Sequence, residues 1–310
     1  MFTSHKMNSR QSENWKFEVI SQILLALAKN EHLKNNLVFK GALILNEYLP
    51  TQRKSLDIDA NFVRAFINNF PSRERQKSFL RKHLKQALSR HFETQDPVRF
   101  GLSNLQVEPK PRNDHPRGWD AFLITISLTD HEKTGVRGLP KLTIDLAAPE
   151  SLSENSLSEM SLGGSRIQVY SLERIAGEKA RAFLSTLRTY RDKVKRPGKA
   201  VRVRDLYDLT RIIRARTISD RTFWNIAGSE FKLACESRFV DCSGFESFRE
   251  GWSETSELYK KSPIIPKDIP FEEVTAAISA IANYWRETGI IPFSFPLKPA
   301  TSPRRGCPGT

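Results

Sequence analysis

Apolar side chains recur at helical spacing along some stretches of the chain and at alternate positions along others, and this contrast lays out the elements. Over residues 13–30, Phe17, Ile20, Leu24 and Leu27 form one stripe with Ser12 as its N-cap, which predicts an amphipathic helix facing a core. Pro71 and Ser72 open a second helix to about His91, with Leu80, Leu84 and Leu88 inward and Arg73, Arg75, Lys77, Arg81, Lys82 and Lys85 outward on a solvated face. Between them an apolar run ends at Lys40-Gly41-Ala42, a short helical patch follows, and Leu56 and Ile58 alternate with Ser55, Asp57 and Asp59 as in a two-faced strand. Further strands are predicted over residues 98–107, 119–129 and 141–147, with a Pro- and charge-rich loop from Pro109 to Gly118. Residues 149–166 are Ser-rich with a Gly pair and read as a surface loop or linker.

Beyond that stretch the pattern turns helical. Ser171 is placed to cap a helix whose broad face carries Leu172, Ile175, Ala176, Lys179 and Phe183. More helices follow, at 218–236 and at 271–287, the last with Val274, Ile278, Ile281 and Trp285 as a buried stripe. Five Pro and two Gly among residues 292–310 predict a disordered tail. The reading is an α+β fold: a mixed sheet with flanking helices over residues 1–160, a helical domain over 161–291, and the tail.

Composition changes the picture in one respect. With 39% hydrophobic and 27% charged residues, the 310-residue chain is ordinary for a globular protein, but its net charge of +14 is not. Such an excess favours polyanionic partners, nucleic acid first, with an acidic membrane or acidic protein behind. Residues 188–204 concentrate it in Arg188, Arg191, Lys193, Lys195, Arg196, Lys199, Arg202 and Arg204, read as a flexible loop broken by Pro197-Gly198. Three cysteines, with no Cys-x-x-Cys and no clustered His, argue against a disulfide framework or a zinc site and suit a reducing compartment. The polar N-terminus lacks a signal-peptide core, and no apolar run approaches about 18 residues, so a cytoplasmic protein with no membrane association is expected.

The chemistry gathers at residues 37–62. Along a strand Asp57 and Asp59 project to one side, about 6–7 Å apart, with Ile58 turned to the core, and paired carboxylates so placed can share divalent metal ions. Gly41, upstream, lets backbone amides approach a phosphate closely. Asp145 sits mid-strand among apolar neighbours, where a carboxylate is expensive without a metal or a cation; the plainer alternative is an Asp ending a strand and bonding turn amides. Lys179 lies on the apolar face of its helix and must find anions, for which a nucleotide triphosphate is suited, unless it snorkels to solvent. On a helix Asp205 and Asp208 share a face with Arg204 and Tyr207.

Lys40-Gly41-Ala42-Leu43 followed by Arg53-x-Ser55-x-Asp57-Ile58-Asp59 resembles the first motif of the AbiEii/AbiGii toxin family of minimal, polymerase-beta-like nucleotidyltransferases. Gly177-Glu178-Lys179 is similar to the family's Ala-Glu-Lys signature, with Gly in place of Ala, and Arg204-Asp205-Leu206-Tyr207-Asp208-Leu209 to its Arg-Asp-x-x-Asp-Leu signature. The resemblance covers residues 37–213. It implies NMP transfer from an NTP to an acceptor, with Mg2+ or Mn2+ held by Asp57, Asp59 and Asp145. It also implies nucleotide binding through Lys40, Gly41, Ser55 and Lys179, and a catalytic or orienting acid at Asp205 or Asp208. Family members are usually toxins of toxin–antitoxin or phage-defence systems, restrained by an antitoxin, and some extend the 3′ end of tRNA. The alternatives are transfer to a protein or small molecule, and a non-catalytic nucleic-acid-binding module.

Overall fold

The computed structural model of the protein describes residues 6–51, 53–111, 121–147, 150–195, 198 and 200–297. Its first helix, α1 (Ser9–Lys29), starts ahead of the apolar stripe because Asn8 and Gln11 close a reciprocal capping box; Asn8, not Ser12, is the cap. Ile20, Leu24 and Leu27 are buried, whereas Phe17 is exposed. The single turn α2 (Glu31–Lys34) leads into β1 (Leu37–Lys40), and Gly41 turns the chain into α3 (Gly41–Tyr48). β2 (Asp57–Phe62) returns antiparallel to β1, with Lys40 opposite Asp59. After α4 (Arg64–Asn69), Ser72 caps α5 (Arg73–Glu93), whose Leu80, Leu84 and Leu88 are buried.

β3 (Phe100–Lys110), β4 (Ala121–Asp130) and β5 (Leu142–Ala147) form an antiparallel meander, and β5 then lies parallel to β2. Residues 112–118 of the expected loop, and 119–120 of the expected strand, lie outside the described residues.

From Leu157 on, the stretch expected as a linker is instead part of the sheet. Within it, β6 (Leu157–Leu162) and β7 (Ser165–Tyr170) make a hairpin turning at Gly163 and Gly164, both with positive φ. A serine hid the period-two pattern: Ser158, Met160 and Leu162 take the half-buried face and Glu159 and Ser161 the exposed one, so a polar residue stands where an apolar one would have marked the strand. Residue 149 lies outside the described residues. β7 pairs parallel with β1, completing a seven-stranded mixed sheet in the order β3-β4-β5-β2-β1-β7-β6. The sheet therefore runs to Tyr170, past the division expected at residue 160.

Ser171 then caps α6 (Leu172–Leu184) directly, accepting from the Arg174 amide. α7 (Arg188–Val194), α8 (Val203–Ala215), α9 (Arg221–Arg238), α10 (Phe245–Arg249), α11 (Trp252–Lys261) and α12 (Phe271–Glu287) complete the helical part. The basic stretch at 188–204 is thus not one loop: its first half is α7, seated by buried Tyr190 and Val194. Arg196, Pro197 and Lys199 lie outside the described residues. Gly177, where a small residue is needed, lets α6 close on α9, since a Cβ there would come 2.5 Å from the Phe231 backbone nitrogen. Residues 292–297 are ordered rather than a tail: Phe293 bridges Cys242, and the Phe295 amide donates to Asp241 at 2.7 Å. Residues 298–310 lie outside the described residues. One apolar core runs continuously from the sheet into the helices.

Candidate active site

The site is built on two adjacent strands. In β2, Ile58 is buried while Asp57 and Asp59 face the other way. Parallel pairing with β5 sets Asp145 in register with Asp59, and Thr143 with Asp57, at the usual strand spacing of about 4.8 Å. The Thr143 hydroxyl donates to Asp57 Oδ1 at 2.6 Å. Asp145 is not buried as its apolar neighbours suggest. Ile144 and Leu146 turn to the core, and the same alternation turns Asp145 outward, 47% exposed, where it pairs with Lys110 Nζ at 3.2 Å.

Gly41 closes the floor of the site. Its φ of +80° suits glycine, and an added Cβ would overlap the Asp59 carboxylate, 2.8 Å from Cγ. Burial is the chief reason that the Asp59 carboxyl is pushed up to about 6; Lys40 and Lys179 pull the other way without cancelling it. Lys40, buried, pairs with Glu178 at 2.8 Å and with Glu150 at 3.6 Å. Desolvation would discharge it, but those two carboxylates outweigh that and raise its pKa. The Ser55 hydroxyl donates to the Asp57 carbonyl at 3.3 Å, bracing the start of β2.

The opposite wall comes from α6 and α8. Lys179 Nζ donates to Asp205 at 2.9 Å and to Asp208 at 2.6 Å, so both acids hold the lysine. Asp205 also accepts from Arg202, and Asp208 from Arg53 Nη1 at 3.0 and 3.1 Å and from Arg211 at 3.5 Å. Four cations thus surround two carboxylates. Burial alone would raise the Asp205 pKa, yet Lys179 and Arg202 hold it well below the usual range. Of this cluster, sequence reasoning named Arg53 only as part of the first motif and Arg202 only as part of the basic stretch, and it did not name Arg211. Glu150 was also missed; it is buried among Lys40 of β1, Arg174 and Arg181 of α6 and Arg238 of α9.

These walls enclose a cleft of about 780 Å³ lined by Lys40, Gly41, Ser55, Asp57, Asp59, Asp145, Lys179 and Asp205; Asp208 lies behind Lys179. A larger cavity of about 980 Å³, between α7 and the 292–294 segment, shares Tyr190 with it, but Lys193 there is already committed to Asp241 at 2.6 Å. Among the described residues no three His, Cys, Asp or Glu side chains converge on a ready-made metal position. The donor set nonetheless suits a hard divalent cation: carboxylates on one face of two adjacent strands, one of them short of positive charge.

A glycine turn after a strand, alternate aspartates on the next, and a facing helix-borne lysine make the frame of a nucleotidyltransferase. Solved structures share the fold. JHP933 from Helicobacter pylori superimposes with a TM-score of 0.50 at 14% identity over 91% of this chain and 94% of its own. MenT4, a nucleotidyltransferase toxin from Mycobacterium tuberculosis H37Rv, does so with a TM-score of 0.50 at 15% identity over 89% and 85%. No curated protein sequence matches the chain. Residues 22–287 match the family model of the nucleotidyl transferase AbiEii toxin of type IV toxin–antitoxin systems, and the chain belongs to that family. The protein is a nucleotidyltransferase. Among the described residues no helix is long and apolar enough to cross a membrane.

Proposed function

We propose that the protein transfers NMP from an NTP to a hydroxyl of an RNA acceptor, with the 3′ end of tRNA as the first acceptor to test, and that it does so as a toxin held in check by a cognate antitoxin. The observation that carries this reading is the cleft itself, with Asp57, Asp59 and Asp145 on the sheet facing Lys179 on α6. An acceptor oxygen attacks the α-phosphorus, the bond to the bridging oxygen of the β-phosphate breaks, and pyrophosphate leaves. A Mg2+ or Mn2+ ion bound by Asp57, Asp59 and Asp145 would acidify the attacking hydroxyl and neutralise the leaving pyrophosphate. The hydroxyl proton passes to a carboxylate oxygen of Asp145. Gly41 offers a backbone approach to the triphosphate, flanked by Lys40 and Ser55.

Lys179 has three N–H donors, of which Asp205 and Asp208 occupy two, so one is left for a phosphate oxygen. Preorganised stabilisation of that kind is worth about 3–4 kcal/mol, a few hundredfold in rate. The basic lining of the cleft, which includes Arg191, Arg202 and Arg204, favours a polyanionic acceptor over a small molecule. The test is incubation with Mg2+, each labelled NTP and total tRNA beside an Asp57→Ala control. Label in RNA that disappears in the control supports the reading; label confined to protein would assign the acceptor elsewhere.

A further inference from the structure

Lys110 stands on the third carboxylate of the cleft. It ends β3, lies opposite Ala121 of β4, and reaches across to Asp145 on β5, with Nζ 3.2 Å from Oδ1. Asp57 is engaged differently, by the neutral Thr143 hydroxyl. An ammonium beside Asp145 Oδ1 and a divalent cation on the same carboxylate repel each other and draw on the same charge, so each weakens the other's hold. The ion pair is open to solvent, with side-chain exposures of 58% and 47%. Exposed pairs of this kind shift an equilibrium by up to about fivefold, enough to bias the site but not to close it.

The sheet order gives this contact a direction. Gly41 follows β1, so nucleotide phosphates approach from the β1 side, while Asp145 and Lys110 lie toward β5, β4 and β3. An acceptor must enter over that second side, where its phosphodiesters meet Lys110 before its hydroxyl meets Asp145. We infer that Lys110 is a built-in competitor for the divalent cation at Asp145, withdrawn by an acceptor phosphodiester, so that metal loading is coupled to acceptor binding. The inference rests on the metal-dependent reading above.

Mn2+ titration followed by electron paramagnetic resonance tests it without turnover. The proteins are wild type, Lys110→Gln, Asp57→Ala and Lys54→Gln, the last removing a cleft lysine that contacts Asn14 rather than a carboxylate. Each is titrated with and without a short oligonucleotide with a blocked 3′ end, after subtraction of the oligonucleotide alone. Lys110→Gln is expected to bind Mn2+ up to about fivefold more tightly than wild type, Lys54→Gln to bind like wild type. The oligonucleotide should tighten binding by a similar factor in wild type and leave Lys110→Gln unchanged. Equal affinities in wild type and Lys110→Gln, or equal tightening of both by the oligonucleotide, would overturn the inference while leaving the metal site standing. Failure of wild type to bind Mn2+ better than Asp57→Ala would instead remove the metal-dependent reading, and the inference with it.

Discussion

One added methyl at Gly41 would drive a carbon into the Asp59 carboxylate and force a left-handed backbone on alanine. Gly41→Ala is therefore expected to cut nucleotidyl transfer by at least ~100-fold while costing only about 1–3 kcal/mol in stability, read from initial rates beside urea unfolding. The lysine cluster predicts an asymmetry. Asp208→Ala takes from Arg53 and Arg211 the carboxylate they share and leaves Lys179 with Asp205, and removing one partner of such a buried set costs about 3–5 kcal/mol. Lys179→Met leaves each acid with an arginine, Asp205 with Arg202 and Asp208 with Arg53, so urea unfolding should show a smaller loss although transfer is abolished. At this scale the aspartate pair and the inward lysine were legible, because strand and helix periods orient side chains directly. The exposure of Asp145 follows from the same alternation, but its apolar neighbours suggest burial when they are read without the period. Glu150 left no local trace, as its partners come together only when distant segments fold.

Among the elements, α6 and α9 approach so closely that Gly177 is a packing requirement rather than a flaw in the helix. Gly177→Ala gains about 1 kcal/mol of helix propensity but overpacks backbone against backbone, which costs about 1–3 kcal/mol. The expected net outcome is destabilisation in thermal unfolding; a stabilised variant would contradict the observed approach. Asp130 ties α1 to the sheet, accepting from Trp15 Nε1 at 2.8 Å and from Arg99 at 3.3 Å. Burial opposes its ionisation, but the Arg99 and Trp15 bonds prevail and lower its pKa. A depressed carboxyl contributes stability that is complete above its unfolded pKa of about 3.9 and is lost as pH falls through the lower folded value. Urea midpoints measured down the acid range should fall less steeply in Asp130→Asn than in wild type. Long periodic elements such as α5 and α12 were readable in advance. Single-turn helices such as α2 carry too few residues to show a period, and serine masked the β6–β7 hairpin.

For the molecule as a whole, the net charge of +14 and the basic cleft predict acceptor binding that weakens steeply with salt. If an RNA acceptor neutralises six to ten cations, affinity should drop about 10³–10⁵-fold between 50 and 200 mM salt, measured by filter binding; a shallow slope would favour a small-molecule acceptor. The order of strands before helices made the α+β class legible. The division between the halves was not, because composition marks where a chain is polar rather than where it leaves a sheet.

Tyr170 is the last residue of β7, Ser171 caps α6, and the Tyr48 hydroxyl donates to the Tyr170 carbonyl at 3.1 Å. The helix bearing Lys179 is thus bolted to the same plate that carries the aspartates, with no joint between. New chain ends opened at Gly163-Gly164 would leave that mounting intact, whereas ends opened between Tyr170 and Ser171 would set the lysine adrift.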